Sequence, residues 1–247
     1  MERFTNLERL PISISNRVKS YLEELVDLYQ DKILSIAVYG SVAAGDFVPK
    51  VSDVNIVIIF DRLEFTDFKK GLKLINRGIK NKISAPLFLT KEYIQRSLDV
   101  FPAEFLEMKD NHINLYGEDL LSSLNIDESN LRLYCEQQLK GKLIRIRQAY
   151  LEIGLKNRGM EALLKESFTS LIPIFRNLLR LKGLKPPVGK DKIIIQLCEQ
   201  FSLSYNLFSA ILKDKRNDEK IAGKKIEEVL RDYIDELDKL SKIVDKL

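Results

Sequence analysis

The chain has 247 residues, of which 45% are hydrophobic and 31% charged, a composition typical of a globular protein with one large domain or two of ordinary size. No apolar run approaches the roughly eighteen residues that a membrane helix needs, and the first residues lack a secretory pattern. We therefore expect a cytoplasmic protein without a membrane partner. A single histidine and two widely separated cysteines, Cys135 and Cys198, argue against a zinc site and favour buried free thiols.

The net charge of +4 is unevenly distributed. Residues 1–125 carry 16 Lys and Arg against 18 Asp and Glu, a net charge of −2, whereas residues 126–247 carry 24 against 18, a net charge of +6. An anionic partner is compatible with this asymmetry, but solvated helix faces of mixed sign account for much of it.

The first half of the chain alternates between helical and strand-like patterns. In chain order we expect a helix over 12–31 capped by Ser13 or Ser15, strands over 33–39 and 54–60, a helix over 66–82, a strand over 83–89, a helix from the Thr90 cap to about Phe105, and a strand over 112–116. Pro86 places the third of these strands at an edge or a bulge.

The second half of the chain contains no strand pattern. Apolar residues recur there every three or four positions over 129–155, 159–183, 189–201, 204–214 and 223–246. The sequence therefore predicts an α+β protein with two domains. A mixed sheet with flanking helices spans residues 1–125, and an all-α helical bundle spans residues 126–247.

The most informative stretch is 37–60, where a predicted strand ends at Gly40-Ser41 and a second strand follows Ser52-Asp53-Val54-Asn55. Gly40 lets the backbone approach a phosphate, and Ser41 can donate its hydroxyl to it. Residues i and i+2 of a strand point to the same face, so Asp53 and Asn55 can project into one pocket. Transfer of a nucleotidyl group needs Mg²⁺ on the phosphates and a base for the attacking hydroxyl.

This pattern, Gly40-Ser41-x-Ala43-x-Gly45 followed by Ser52-Asp53-x-Asn55, resembles the signature of the DNA-polymerase-β-like nucleotidyltransferase superfamily. The similarity is to its minimal branch, which includes kanamycin nucleotidyltransferase. It implies a nucleotidyltransferase fold over about residues 12–120 that binds Mg²⁺ with ATP or another nucleoside triphosphate. Gly40 and Ser41 would hold the triphosphate, and Asp53 and Asn55 would be the metal-binding and catalytic positions.

The chain departs from the family pattern at three places. Asn55 stands where the family has its second carboxylate, Ala44 stands where a basic residue is common, and 83–89 contains no acid, although the family's third carboxylate lies on that strand. A missing general base typically costs about 10²–10⁴ in rate. Asp99 or Glu104 could substitute for the base, or they could be solvated carboxylates at a helix end.

The helical half is similar to the helical domains that accompany minimal nucleotidyltransferases, including the HEPN type. No histidine follows Arg176 or Arg180, which argues against the ribonuclease activity of that type. A basic row on the first helix of this half is compatible with a nucleic-acid contact or a solvated face: Lys140, Lys142, Arg145 and Arg147. No RNA-binding motif accompanies it.

Three functional hypotheses remain open at this point. The first is a nucleotide-binding pseudoenzyme with weak or no catalysis. The second is an active enzyme that moves a nucleoside monophosphate group to a small-molecule, protein or RNA hydroxyl. The third is a structural module without a ligand. A homodimer is plausible from the resemblance, because minimal members often build the cleft between two subunits.

Overall fold

The structure is a computed structural model that describes residues 3–49, 51–154 and 156–247, apart from the side chain of Lys224. The chain forms two compact units, Met1–Asp127 and Glu128–Leu247. The first contains a sheet with helices, and the second is helical throughout its described residues. This confirms the predicted α+β class.

The described residues of the first unit form five α-helices and four strands, besides two short 3-10 helices. In chain order they are α1 (Ile12–Tyr29), β1 (Ile33–Tyr39), α2 (Ser41–Ala44), β2 (Asn55–Phe60), α3 (Phe65–Lys80), β3 (Leu87–Thr90), α4 (Lys91–Ser97), α5 (Pro102–Asp110) and β4 (His112–Gly117). The strands form one mixed sheet in the order β3-β2-β1-β4. β1 runs antiparallel to β2 and β4, and β2 runs parallel to β3.

Alternate residues of the two central strands enter different cores. Ile36, Ile56 and Ile58 belong to a buried cluster with α1 and α3 on one face of the sheet. Ala37 and Val57 belong to a second buried cluster with α4 and α5 on the other face. Because both faces of β2 are covered, its sequence reads as the continuous apolar run expected of a doubly buried strand.

Two glycines of α3 allow it to pack closely against α1. A β-carbon at Gly71 would lie 2.2 Å from the hydroxyl of Tyr29, and one at Gly78 would lie 2.8 Å from Cε2 of Tyr21. The Tyr29 hydroxyl donates a 2.9 Å hydrogen bond to the Asp67 carbonyl. The tyrosines, eight residues apart on α1, therefore pack against α3 at positions seven residues apart.

Two local predictions for the first unit are wrong. The single helix expected between Thr90 and about Phe105 is divided into α4 and α5. Since a proline disfavours helical conformation in the residue before it, Phe101 leaves the helix and Pro102 starts a new one. The expected serine cap of α1 is also absent from the described residues, because the helix begins after Pro11 and Ser15 instead donates to the Leu7 carbonyl.

The strand predicted over 83–89 is shorter and later than expected. Ile83 forms an isolated parallel bridge with Val54, and the regular strand β3 begins at Leu87, after Pro86. β3 lies at the edge of the sheet, where a proline is tolerated. The expected Thr90 cap is confirmed, since its hydroxyl accepts a hydrogen bond from the Tyr93 amide.

The described residues of the second unit form five α-helices and one short 3-10 helix, and the five α-helices lie close to the five predicted segments. They are α6 (Glu128–Ile153), α7 (Asn157–Leu181), α8 (Lys190–Phe201), α9 (Tyr205–Arg216) and α10 (Ile226–Val244). Cys135 and Cys198 are free and buried here, and burial raises the pKa of their thiols to about 12 and about 11. None of the helices in the described residues combines the length and hydropathy required to cross a bilayer.

Candidate functional site

The Gly-Ser turn and the start of β2 meet at one edge of the sheet. β1 and β2 are antiparallel, and Tyr39, the last residue of β1, pairs with Asn55, the first residue of β2. Gly40 follows directly, so a β-carbon at this position would lie 3.2 Å from Nδ2 of Asn55. The structure thus brings Gly40 and Asn55, distant in sequence, into the same site.

Gly40 has a backbone conformation that other residues rarely adopt. Its φ of 75° and ψ of −142° reverse the chain between β1 and α2. Its amide donates a 3.2 Å hydrogen bond to the Asn111 carbonyl, and its own carbonyl accepts one from Ala44. Ser41 begins α2 and is half-buried. Glycine is therefore required here by conformation as well as by the nearness of Asn55.

Asn55 is hydrogen-bonded to a residue of the neighbouring segment. The Ser84 hydroxyl lies 2.9 Å from Oδ1 of Asn55 and 3.1 Å from the Val54 carbonyl. The contact follows from the parallel bridge between Val54 and Ile83, which places the next residues side by side. Ser84 is therefore the residue of the acid-free segment that reaches the family's second carboxylate position.

Asp53 is exposed and faces a lysine. Its Oδ1 lies 3.6 Å from Nζ of Lys82, and the two side chains are 51% and 55% exposed. Lys82 has a φ of +61°, an uncommon conformation for a residue other than glycine. The one carboxylate of the Asp53-x-Asn55 pair is thus already next to a positive charge.

The proposed substitute bases do not complete a metal site. Asp99 lies between α4 and α5, Glu104 lies in the first turn of α5, and both are exposed. Across the described residues, no group of three or more His, Cys, Asp or Glu side chains is arranged to hold a metal ion.

Glu107 is a carboxylate that the sequence analysis did not consider. Its Oε1 accepts a 2.8 Å hydrogen bond from Nδ2 of Asn111, whose carbonyl receives the Gly40 amide. This carboxylate is therefore connected to the Gly40 turn through one residue. The residue spacing within α5 does not predict this link, because the link depends on Asn111 in the turn between α5 and β4.

The nearby tyrosine is half-buried, and the basic row is partly paired. Burial raises the pKa of Tyr39 above its ordinary value. In the predicted basic row, Lys140 pairs with Glu136 and Asp245, and Arg147 pairs with Asp238. Two of its four cations are therefore neutralised within the second unit, as expected of a solvated helix face.

Comparison with known families finds a match within the first unit. A family model described as a nucleotidyltransferase domain matches residues 18–113, a span that contains Gly40, Asp53, Asn55 and Ser84. Residues 18–113 are therefore similar to a nucleotidyltransferase domain. The motif of the Gly-Ser turn and the Asp53-x-Asn55 pair lies entirely within the matched residues.

The fold is also that of a known nucleotidyltransferase structure. Spectinomycin adenyltransferase AAD(9) from Enterococcus faecialis, solved with ATP and spectinomycin, matches with a TM-score of 0.51 and 12% identity. The match covers 90% of this chain and 99% of that one. At this identity the likeness concerns the fold alone, a sheet unit followed by a helical C-terminal region. No curated protein matches the chain significantly.

Proposed function

We propose that the nucleotidyltransferase domain binds a nucleoside triphosphate at the edge formed by Gly40, Ser41, Asp53 and Asn55, and that it transfers nucleotidyl groups slowly or not at all. The observation that carries the proposal is the hydrogen bond from Ser84 to Asn55. It joins Asn55, at the family's second carboxylate position, to a second neutral side chain from the acid-free segment 83–89.

Binding is supported by the geometry of the turn. Gly40 presents backbone without a side chain toward Asn55, and Ser41 adds a hydroxyl at the start of α2. Backbone amides and hydroxyls in a glycine turn are suited to phosphate oxygens. Spectinomycin adenyltransferase, which shares the fold, was solved with ATP.

Slow or absent nucleotidyl transfer is supported by the shortage of carboxylates that could bind Mg²⁺. Mg²⁺ is usually held by one or two carboxylates together with substrate phosphates and water. Here Asp53 is the single carboxylate of the pair and has Lys82 beside it, while Oδ1 of Asn55 already accepts from Ser84. These residues do not fit the three-carboxylate set that the family resemblance implies.

An active transferase is the second candidate function. It is favoured by the likeness over 90% of the chain to an adenyltransferase solved with a small-molecule acceptor. In that case Asp53 and Asn55 would bind a Mg²⁺ that arrives with the triphosphate and neutralises its charge. The base would be Glu107, Glu104 or Asp99, and the acceptor a hydroxyl of a small molecule, a protein or RNA.

Calorimetric titration of MgATP into the wild type, Asp53→Ala and Gly40→Ala tests the proposal. We expect saturable binding to the wild type and clear weakening in Gly40→Ala. No binding to the wild type would exclude both candidate functions. Incubation with α-labelled ATP and a hydroxyl acceptor then separates them. Transfer of the α-label to the acceptor, with release of unlabelled pyrophosphate at ordinary enzymatic rates of about 1–10³ per second, would establish the active transferase.

A further inference from the structure

A polar cleft, separate from the Gly40–Asn55 site, lies within the first unit between α1 and α3. Its volume is about 330 Å³, at the small end of the range for ligand sites. The polar side chains of its wall come from both helices and the turn after α3: Arg17, Ser20, Tyr21, Glu24, Arg77 and Asn81. None of these residues belongs to the Gly40–Asn55 site.

Two buried donors at this cleft have no hydrogen-bond partner among the described residues: the Tyr21 hydroxyl and Nε of Arg17. Tyr21 is only 5% exposed. Tyr29 provides an internal comparison, because it packs against Gly71 as Tyr21 packs against Gly78, yet its hydroxyl reaches the Asp67 carbonyl. An unsatisfied buried donor costs free energy that a ligand acceptor would recover.

The charge of the cleft favours an anion. Arg17 and Arg77 contribute two positive charges, and Glu24, which is hydrogen-bonded to Arg77, contributes one negative charge. The cleft wall is therefore net positive by one charge. Burial and the neighbouring Tyr29 raise the pKa of Tyr21, and the Arg77 charge opposes that rise without reversing it, so the hydroxyl stays protonated at neutral pH.

We propose that this cleft binds a compact oxyanion, a phosphate or pyrophosphate group, with Arg17 and Tyr21 as donors. Phosphate oxygens accept several hydrogen bonds at once, and guanidinium groups match them geometrically. The wall also contains the serine and asparagine side chains that commonly complete such sites, Ser20 and Asn81.

The cleft and the proposed nucleotide site are separate. Ile56 and Ile58 of β2 face the α1–α3 side of the sheet, whereas Asn55, by strand alternation, faces the other side. The oxyanion site therefore does not depend on nucleotide binding at Gly40. The turn containing Lys82, flanked by the cleft residues Asn81 and Ile83, connects the two.

The test is calorimetric titration of the full chain with inorganic phosphate and, separately, with pyrophosphate at constant ionic strength. We expect saturable binding to the wild type and about tenfold or more weakening in Arg17→Gln, the ordinary effect of losing a charge-assisted hydrogen bond. Lys19→Gln is the matched control, since it removes the same charge from an exposed position of α1 outside the cleft. Its affinity should equal that of the wild type.

Tyr21→Phe provides a second test, because it should lower the anion affinity without lowering the melting temperature of the anion-free protein. Without anion, removal of an unsatisfied hydroxyl should leave the melting temperature unchanged or higher, whereas Tyr29→Phe, which loses a hydrogen bond, should lower it. Anion affinity should fall in Tyr21→Phe. Absence of saturable binding to the wild type, or equal binding to Arg17→Gln and Lys19→Gln, would overturn the proposal. MgATP affinity, unchanged in Arg17→Gln, reports separately on the nucleotide site.

Discussion

The Ser84 hydroxyl donates a 2.9 Å hydrogen bond to Oδ1 of Asn55, and the pair joins the start of β2 to the segment that leads into β3. Both side chains are neutral. Their contact joins two of the departures from the family pattern, the amide at position 55 and the acid-free segment 83–89. Asp53 and Lys82, 3.6 Å apart, are the charged pair next to this contact.

Replacing this neutral pair by carboxylates should create a stronger metal site. In Asn55→Asp combined with Ser84→Glu, added anionic ligands should tighten Mn²⁺ binding in the presence of ATP by about tenfold or more, since ligand charge sets cation affinity. Electron paramagnetic resonance of free Mn²⁺ measures this. Asn76→Asp, at an exposed position of α3, controls for added charge. Equal Mn²⁺ affinity in the wild type and the double variant would show that these positions do not face one site.

Lys82 should compete with a cation for Asp53. The half-exposed ion pair is worth at most about 1 kcal/mol, so Lys82→Met should tighten Mn²⁺ binding by no more than about fivefold. Lys80→Met removes the same charge two residues earlier, at an exposed position, and should have little effect. The same Mn²⁺ titration measures both variants. An equal gain in Mn²⁺ affinity in Lys82→Met and Lys80→Met would show that the effect comes from the overall loss of positive charge and not from the contact of Lys82 with Asp53.

Gly40→Ala should destabilise the first unit and weaken ATP binding. The backbone at φ 75° and ψ −142° is strained for alanine, which costs about 1–3 kcal/mol, and the new methyl group would approach Asn55. Urea denaturation and ATP calorimetry measure the two effects. Gly141→Ala is the control, because it lies within α6 with open space around it and should be neutral or stabilising. Unchanged stability in Gly40→Ala would contradict the assigned turn.

Asp67 should give the protein an acid-dependent stability term. This buried carboxylate accepts hydrogen bonds from Lys32 at 2.7 Å and from the Glu64 amide at 2.9 Å, and these lower its pKa below the ordinary value. Its contribution is therefore complete above the unfolded-state pKa, about 3.9, and is lost as pH falls through the lower folded-state pKa.

Asp67→Asn should consequently be less stable than the wild type at neutral pH, and the difference should shrink on acidification below about pH 4. Melting temperatures from pH 7 to pH 3 measure this. Asp61→Asn, an exposed carboxylate with a weak 4.0 Å contact to Arg62, should follow the wild-type curve. A constant gap between Asp67→Asn and the wild type would mean that the carboxylate titrates alike in both states.

The sequence predicted those features that are local. Helical and strand periodicity identified the sheet unit, the helical unit and the apolar run of β2, because each is encoded within a few turns or residues. Pro102 is a local signal for the division between α4 and α5, but the helical spacing of apolar residues on either side of it favoured a single helix.

The features that the sequence did not predict depend on distant pairing. That Ser84 contacts Asn55 follows from the parallel bridge of Val54 with Ile83, and this register is fixed by packing and by the turn at Lys82. Likewise, Glu107 reaches the Gly40 turn only through Asn111. Residue spacing within one segment contains no information about such contacts.

The most direct test of the proposed function is the affinity for ATP measured by calorimetry in Mg²⁺ and again in excess chelator. With one carboxylate beside a lysine and one hydrogen-bonded amide as protein donors, we expect ATP to bind under both conditions, with affinities that differ by less than about threefold. Binding that is more than about tenfold tighter with Mg²⁺ would demonstrate a functional metal site and contradict the account.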